Sequence, residues 1–72
     1  MKYGDTKYYH VKQIKRGGHV VGDLTLTGRV YGYIVQLHYF DVPGYKVNRV
    51  FTSMAAAERF YNEVLKAEGG AL

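Results

Sequence analysis

One segment of the chain, residues 51–69, has the pattern of an amphipathic helix, and this pattern constrains the fold more than any other feature. Thr52 or Ser53 is suited to cap the N-terminus of such a helix, and Gly69 is suited to end it. Apolar residues recur at three- and four-residue steps between these ends, at Ala57, Phe60, Tyr61, Val64 and Leu65. A helix with a single apolar stripe needs a surface to cover it, and the rest of the chain is expected to supply a sheet.

The length and composition predict one domain that spans residues 1–72. We expect a flexible arm over residues 1–6, a β-meander over 7–52, the helix over 53–68 and a tail over 69–72. The sequence has no cysteine, so the fold depends on its 47% of hydrophobic residues and not on disulfides or thiolate zinc sites. No apolar run approaches the length of a membrane span, and we expect a cytoplasmic protein without a cofactor.

Four segments have the composition of β-strands, and they cover residues 7–15, 20–27, 30–40 and 45–51. Glycines predict the turns between them. Gly17 and Gly18 favour a tight hairpin, Gly28 marks a second turn, and Pro43-Gly44 fits a type II turn. Short connections favour antiparallel neighbours. The predicted fold is therefore α+β, a three- or four-stranded antiparallel meander packed on one C-terminal helix.

Strand alternation divides the last two predicted strands into an apolar side and a polar side. The apolar side matches the stripe of the helix and consists of Tyr31, Tyr33, Val35, Leu37, Tyr39, Tyr45, Val47 and Phe51. The polar side consists of Gln36, His38, Lys46 and Asn48, and no second helix remains to cover it. Arg49 falls on the apolar side unless a bulge or an edge position releases it. The uncovered polar side is the candidate binding surface.

The positive charge is concentrated in the predicted arm and sheet. Residues 1–16 carry five Lys or Arg against one Asp, whereas the chain as a whole has a net charge of +4. A basic surface attracts polyanions, although a charge of this size also serves plain solubility. On the nucleic-acid interpretation, Lys12, Lys15, Arg16 and Arg29 would hold phosphates.

The strand-to-helix junction resembles that of a known DNA-binding fold. Phe51, Ser53, Ala57, Arg59 and Tyr61 have the spacing found in plant ethylene-response-factor (APETALA-type) domains and in the N-terminal arm-binding domains of phage tyrosine integrases. The resemblance implies a three-stranded sheet that enters the major groove and a helix that stays away from DNA. The first strand lacks the family's Arg-Gly pair, the chain has no tryptophan, and residues 17–29 form an extra hairpin arm.

Two functions are compatible with these features. The first is a double-stranded DNA-binding module, such as a phage or mobile-element regulator, which uses Lys12, Lys15, Arg16, Arg29, Gln36, His38, Lys46, Asn48 and Arg49. DNA is expected in preference to RNA, and the chain would act as a monomer or weak homodimer. The alternative is a small phage-type inhibitor or adaptor that binds a host protein through its tyrosines or an open strand edge.

An enzyme is not expected. Ser53 is the only serine, and the carboxylates are few and scattered. His10, His19 and His38 lie on separate segments without the spacing of metal ligands. The one enzymatic alternative is RNA cleavage by a small toxin that would use His38 with basic neighbours.

Overall fold

The computed structural model describes residues 7–68, which form one antiparallel sheet and one helix. The elements are β1 (Lys7–Arg16), β2 (His19–Arg29), β3 (Gly32–Tyr39), β4 (Val47–Phe51) and α1 (Met54–Ala67). The strands follow one another in the order β1-β2-β3-β4, so the predicted α+β meander with a C-terminal helix is confirmed. The predicted arm 1–6, the tail 69–72 and the helix end at Gly69 lie outside the described residues.

The helix α1 covers one face of the sheet, which we call the helix face. Ser53 caps it, with its Oγ accepting a hydrogen bond from the Ala56 N–H at 3.4 Å. Four residues of the predicted apolar stripe, Ala57, Tyr61, Val64 and Leu65, are buried, and the fifth, Phe60, is partly buried against them. They share a core with the buried strand residues Ile14, Leu24, Leu26, Val35 and Leu37. Each fully buried aliphatic side chain contributes roughly 1.5–3 kcal/mol, so this layer dominates the stability of the fold.

Two of the predicted turns have the backbone conformation that their glycines favour. Gly17 and Gly18 join β1 to β2 with φ values of 57° and 81°, and two consecutive positive φ values characterise a type I′ hairpin turn. Gly44 has a φ of 79°, as the third position of a type II turn requires.

The turn predicted at Gly28 is wrong. Strand β2 continues through Gly28 to Arg29, and the connection to β3 is the two residues Val30 and Tyr31. Glycine at position 28 leaves room for the Tyr9 ring, because an ideal Cβ there would lie 2.5 Å from a carbon of that ring. Tyr31 belongs to the turn and is 63% exposed, so its predicted place in the core is also wrong.

Strand β1 contains two register shifts that alter which side chains face the helix. The shifts lie between Tyr8 and His10 and between Ile14 and Lys15. Tyr9 is the extra residue of the first, and its ring packs 5.9 Å from the ring of Tyr33 on the helix face. Opposite the second shift, Val21 packs against the core. Bulges of this kind turn individual side chains to the other face, which strict alternation does not anticipate.

Strand β4 is shorter than predicted because it begins at Val47 and not at residue 45. Tyr45 therefore precedes the strand, is 55% exposed and lies outside the core, contrary to the prediction. Lys46 also precedes the strand, although its N–H donates a hydrogen bond to the carbonyl of Leu37 at 2.8 Å. The alternation assumed for residues 45–51 holds only from Val47 onward.

Candidate functional site

The sheet face opposite the helix, which we call the open face, is built by strand alternation. Its central positions follow from the pairing of Thr25 with Gln36 and of Gln36 with Asn48. Its other members are Tyr8, Val11, Gln13, Lys15, Asp23, Thr27, Arg29, Ile34, His38 and Val50. The helix lies on the other side of the sheet, so it leaves this surface uncovered, as antiparallel sheets commonly do.

The predicted residues Gln36, His38 and Asn48 do share the open face, as strand alternation implied. Gln36 Nε2 donates a hydrogen bond to Asn48 Oδ1 at 3.4 Å across β3 and β4. The pair leaves the Gln36 carbonyl oxygen as an acceptor and the Asn48 amide nitrogen as a donor. An acceptor and a donor are the two kinds of group that complement the N6 amine and the N7 nitrogen of adenine in the major groove.

His38 lies beside this amide pair in an aromatic group. It pairs with Asp23 on β2, and its ring meets the rings of Phe40 at 5.9 Å and Tyr45 at 5.7 Å in edge-to-face geometry. A cavity of about 160 Å³ opens beside it on the open face. The cavity is lined by Tyr8, Asp23, Thr25, Gln36, His38 and Tyr45.

Of the six predicted cationic residues, the alternation places only Lys15 and Arg29 on the open face. Lys15 follows the helix-facing Ile14, and Arg29 follows Gly28, which faces Tyr9. Lys12 shares the strand parity of Ile14 and therefore lies on the helix face of edge strand β1, exposed to solvent. Among residues 7–68, the open face thus carries the cations Lys15 and Arg29, one at each end of the β1–β2 hairpin, and the carboxylate of Asp23.

Lys46 does not join Gln36, His38 and Asn48, and its predicted place on the open face is wrong. Its Nζ lies 3.2 Å from Oε2 of Glu68 and 5.6 Å from the centre of the Tyr39 ring. Arg16 lies at the same place, 3.8 Å from Oε1 of Glu68 and 3.2 Å from the Tyr39 hydroxyl. Both cations are held at the C-terminal end of α1, so a phosphate would have to compete with Glu68 for them.

These four residues, Arg16, Tyr39, Lys46 and Glu68, form a cluster that we call the clasp. The Tyr39 hydroxyl donates to Glu68 Oε1 at 2.5 Å. This hydrogen bond is the main reason that the pKa of Glu68 is below its ordinary value, and the positive charges of Lys46 and Arg16 lower the pKa further. Burial, followed by the Glu68 hydrogen bond, raises the pKa of Tyr39. The clasp is therefore an ionised carboxylate held by a neutral phenol and two cations.

Arg49 lies on the helix face, where alternation placed it, and the edge position of β4 leaves it exposed. Its guanidinium lies 5.2 Å from the centre of the Phe60 ring and 5.7 Å from that of Phe51. This stacking covers the rim of the core. Arg49 is thus separated from the open face by the thickness of the sheet.

Sequence reasoning missed four residues of the open-face cavity, namely Tyr8, Asp23, Thr25 and Tyr45. The parity of Asp23 and Thr25, opposite to that of Leu24 and Leu26, was a usable signal. No sequence signal indicated Tyr45, because the direction of its side chain depends on where β4 begins.

Some classes of site are not formed by the described part of the chain. Within residues 7–68, no three His, Asp or Glu side chains lie close enough to hold a metal ion. The helix α1 is too short and too polar to cross a membrane.

Comparisons with models of protein families, with curated proteins and with solved structures found no match for this chain. The resemblance to ethylene-response-factor and integrase arm-binding domains therefore stays a prediction.

Proposed function

We propose that the protein is a small nucleic-acid-binding module that contacts duplex DNA through the open face. The observation that carries the proposal is the Gln36–Asn48 amide pair, which lies at the centre of a sheet face that the helix leaves uncovered. Its free acceptor and donor complement the N6 amine and the N7 nitrogen of one adenine, and each good bidentate contact discriminates against the wrong base by about 1–3 kcal/mol.

Phosphate contacts would come from Lys15 and Arg29 at the two ends of the β1–β2 hairpin. Arg16 and Lys46 are engaged by Glu68, and Arg49 stacks on the helix face. A protein that neutralises about two phosphates should lose only about tenfold in affinity between 50 and 200 mM salt. The salt dependence is therefore expected to be shallow.

The test is fluorescence anisotropy with a labelled duplex at these two salt concentrations. The double variant Gln36→Ala/Asn48→Ala should lower affinity by about tenfold or more. Asn62→Ala is the matched control, because Asn62 is an exposed amide on α1. Loss of affinity in the control equal to that in the double variant would contradict contact through the open face.

The charged contacts are tested separately. Lys15→Gln/Arg29→Gln should flatten the salt dependence, whereas Arg59→Gln/Lys66→Gln removes the same charge from the exposed side of α1 and should leave the slope unchanged. If the salt dependence of affinity is the same for the two double variants, Lys15 and Arg29 are not the residues that contact the phosphates.

A second function is favoured by exposed apolar residues in the β3–β4 connection. Phe40 is 54% exposed, Val42 53% and Tyr45 55%. Aromatic anchors of this kind are typical of protein interfaces, and the outer edges of β1 and β4 end the sheet. On this alternative, the chain is an inhibitor or adaptor, and a single stoichiometric protein partner should survive nuclease treatment in a pull-down. Phe40→Ser should abolish that capture and leave duplex binding unchanged.

A further inference from the structure

The cavity on the open face has the size of a single ring. Its volume is about 160 Å³, and a cavity of about 150 Å³ in a protein core accommodates benzene. A pyrimidine base is a ring of this size. The sugar and phosphate would remain outside, on the surface of the sheet.

Two tyrosines line this cavity and remain available for stacking. Tyr8 is 64% exposed and Tyr45 is 55% exposed, and neither is part of the core. Stacking of a base on an aromatic side chain contributes about 1–3 kcal/mol and requires an unstacked base. A large exposed aromatic side chain at a one-ring cavity thus fits an unpaired base better than a base pair.

The polar lining selects among the pyrimidines. Asp23 offers only acceptor oxygens when ionised, and among the described residues its carboxylate takes part in no side-chain hydrogen bond or ion pair. Cytosine presents an N4 amine, which is the donor that Asp accepts. Uracil and thymine present O4 at that position, where a carboxylate would repel it. The hydroxyl of Thr25 can donate to the cytosine ring acceptors.

We propose that this cavity holds one unstacked cytosine, with its N4 amine on Asp23 and its ring against Tyr8 and Tyr45. The inference rests on the proposed nucleic-acid function and adds that the open face accepts single strands. The same chemistry is offered by DNA, RNA and free nucleotide, so the experiment includes all three.

The test compares short oligo(dC), which presents the N4 amine, with oligo(dT), which presents O4, an N3–H and a C5 methyl group, by fluorescence anisotropy. Wild-type protein should bind oligo(dC) about tenfold more tightly than oligo(dT). Asp23→Asn should bring the ratio close to one, because an amide can also donate to O4. Asp41→Asn is the control, since it makes the same charge change at an exposed residue that does not line this cavity, and it should keep the ratio.

Further ligands identify the source of the base. If oligo(rC) binds as tightly as oligo(dC), the cavity accepts cytosine from RNA as well as from DNA. Tight binding of cytidine monophosphate would show that the natural ligand is a free nucleotide.

Equal affinity of the wild type for oligo(dC) and oligo(dT) would overturn the inference without any variant, and so would an unchanged ratio in Asp23→Asn. A duplex control in the same buffer separates the two proposals. Duplex binding without a cytosine preference removes only this inference, whereas failure of every nucleic acid to bind removes the proposed function as well.

Discussion

The two faces of the sheet differ in how they are built, although they alternate residue by residue along the same strands. The helix face has a continuous core in which Leu24, Leu26, Val35 and Leu37 are fully buried. On the open face, Gln36 and His38 are half-buried and Asn48 is exposed. Two residues of the open face, Thr27 and Ile34, are buried as well, but the candidate contacts Gln36, His38 and Asn48 are not, whereas their neighbours Val35 and Leu37 are fully buried. This division predicts that mutations on the two faces will affect different measurements.

The largest effect is expected from a pair of adjacent residues in β3. Leu37→Ala removes a fully buried side chain and should cost about 2–5 kcal/mol in the free energy of unfolding. Gln36→Ala, one position away on the open face, should change it by no more than about 0.5 kcal/mol. Urea denaturation measures both. Comparable losses would mean that the open face is covered.

Glycines that face the core provide the next comparison. Gly22→Ala should cost about 2–3 kcal/mol, because the new Cβ would lie 2.5 Å from the backbone oxygen of His38. Gly28→Ala should cost about 1 kcal/mol, since the obstructing Tyr9 ring is 39% exposed and can move aside. The midpoints and slopes of urea unfolding curves give both values. An equal cost would show that Tyr9 is held as firmly as the backbone.

The clasp should make stability depend on acidity. The pKa of Glu68 is lowered in the folded state, so its contribution is fully present above the ordinary value of 4.5 and is lost as the pH falls through the lowered pKa. Glu68→Gln should cost about 1 kcal/mol at pH 7 and reduce the loss of stability in acid. Thermal unfolding between pH 7 and pH 3 is the measurement. Glu63→Gln, at an exposed position of α1, should behave like the wild type.

Among the substitutions expected to destabilise the fold, Arg49→Ala has the smallest expected effect, and it also tests whether the two faces act separately. Arg49→Ala should cost about 0.5–1 kcal/mol, because its guanidinium stacks on Phe51 and Phe60 at an exposed site. Affinity for duplex DNA should fall no further than in Arg59→Ala, which removes the same charge from α1. A specific loss of binding in Arg49→Ala would mean that the contact surface extends around the β4 edge.

The parts of the fold that sequence could predict are those encoded locally. The helix was predictable because its cap and its apolar stripe lie close together in sequence, between Ser53 and Leu65. The Gly17-Gly18 turn was predictable because its conformation favours glycine. The Val30–Tyr31 turn was not predictable, since neither residue has the positive φ that would call for glycine. The nearby Gly28 instead makes room for Tyr9, which lies 19 positions earlier in the chain.

The site was predictable only where alternation was unbroken. Gln36, His38 and Asn48 lie within regular strands, and their shared face followed from their parity. Lys46 lies one residue before β4, so strand alternation does not determine the direction of its side chain. The contacts of its ammonium group determine that direction instead. Its partner Glu68 is 22 residues away, so no local pattern could indicate the pair.

The clasp also bears on the order of events in folding. Arg16 and Glu68 are separated by 52 residues, whereas the β1–β2 hairpin closes through two. Contacts between distant residues carry the greater loop-closure entropy and tend to form after local ones. Interactions that are absent from the transition state govern mainly the rate of unfolding. Loosening this cluster should therefore shorten the lifetime of the native state while leaving the rate at which it is reached almost unchanged.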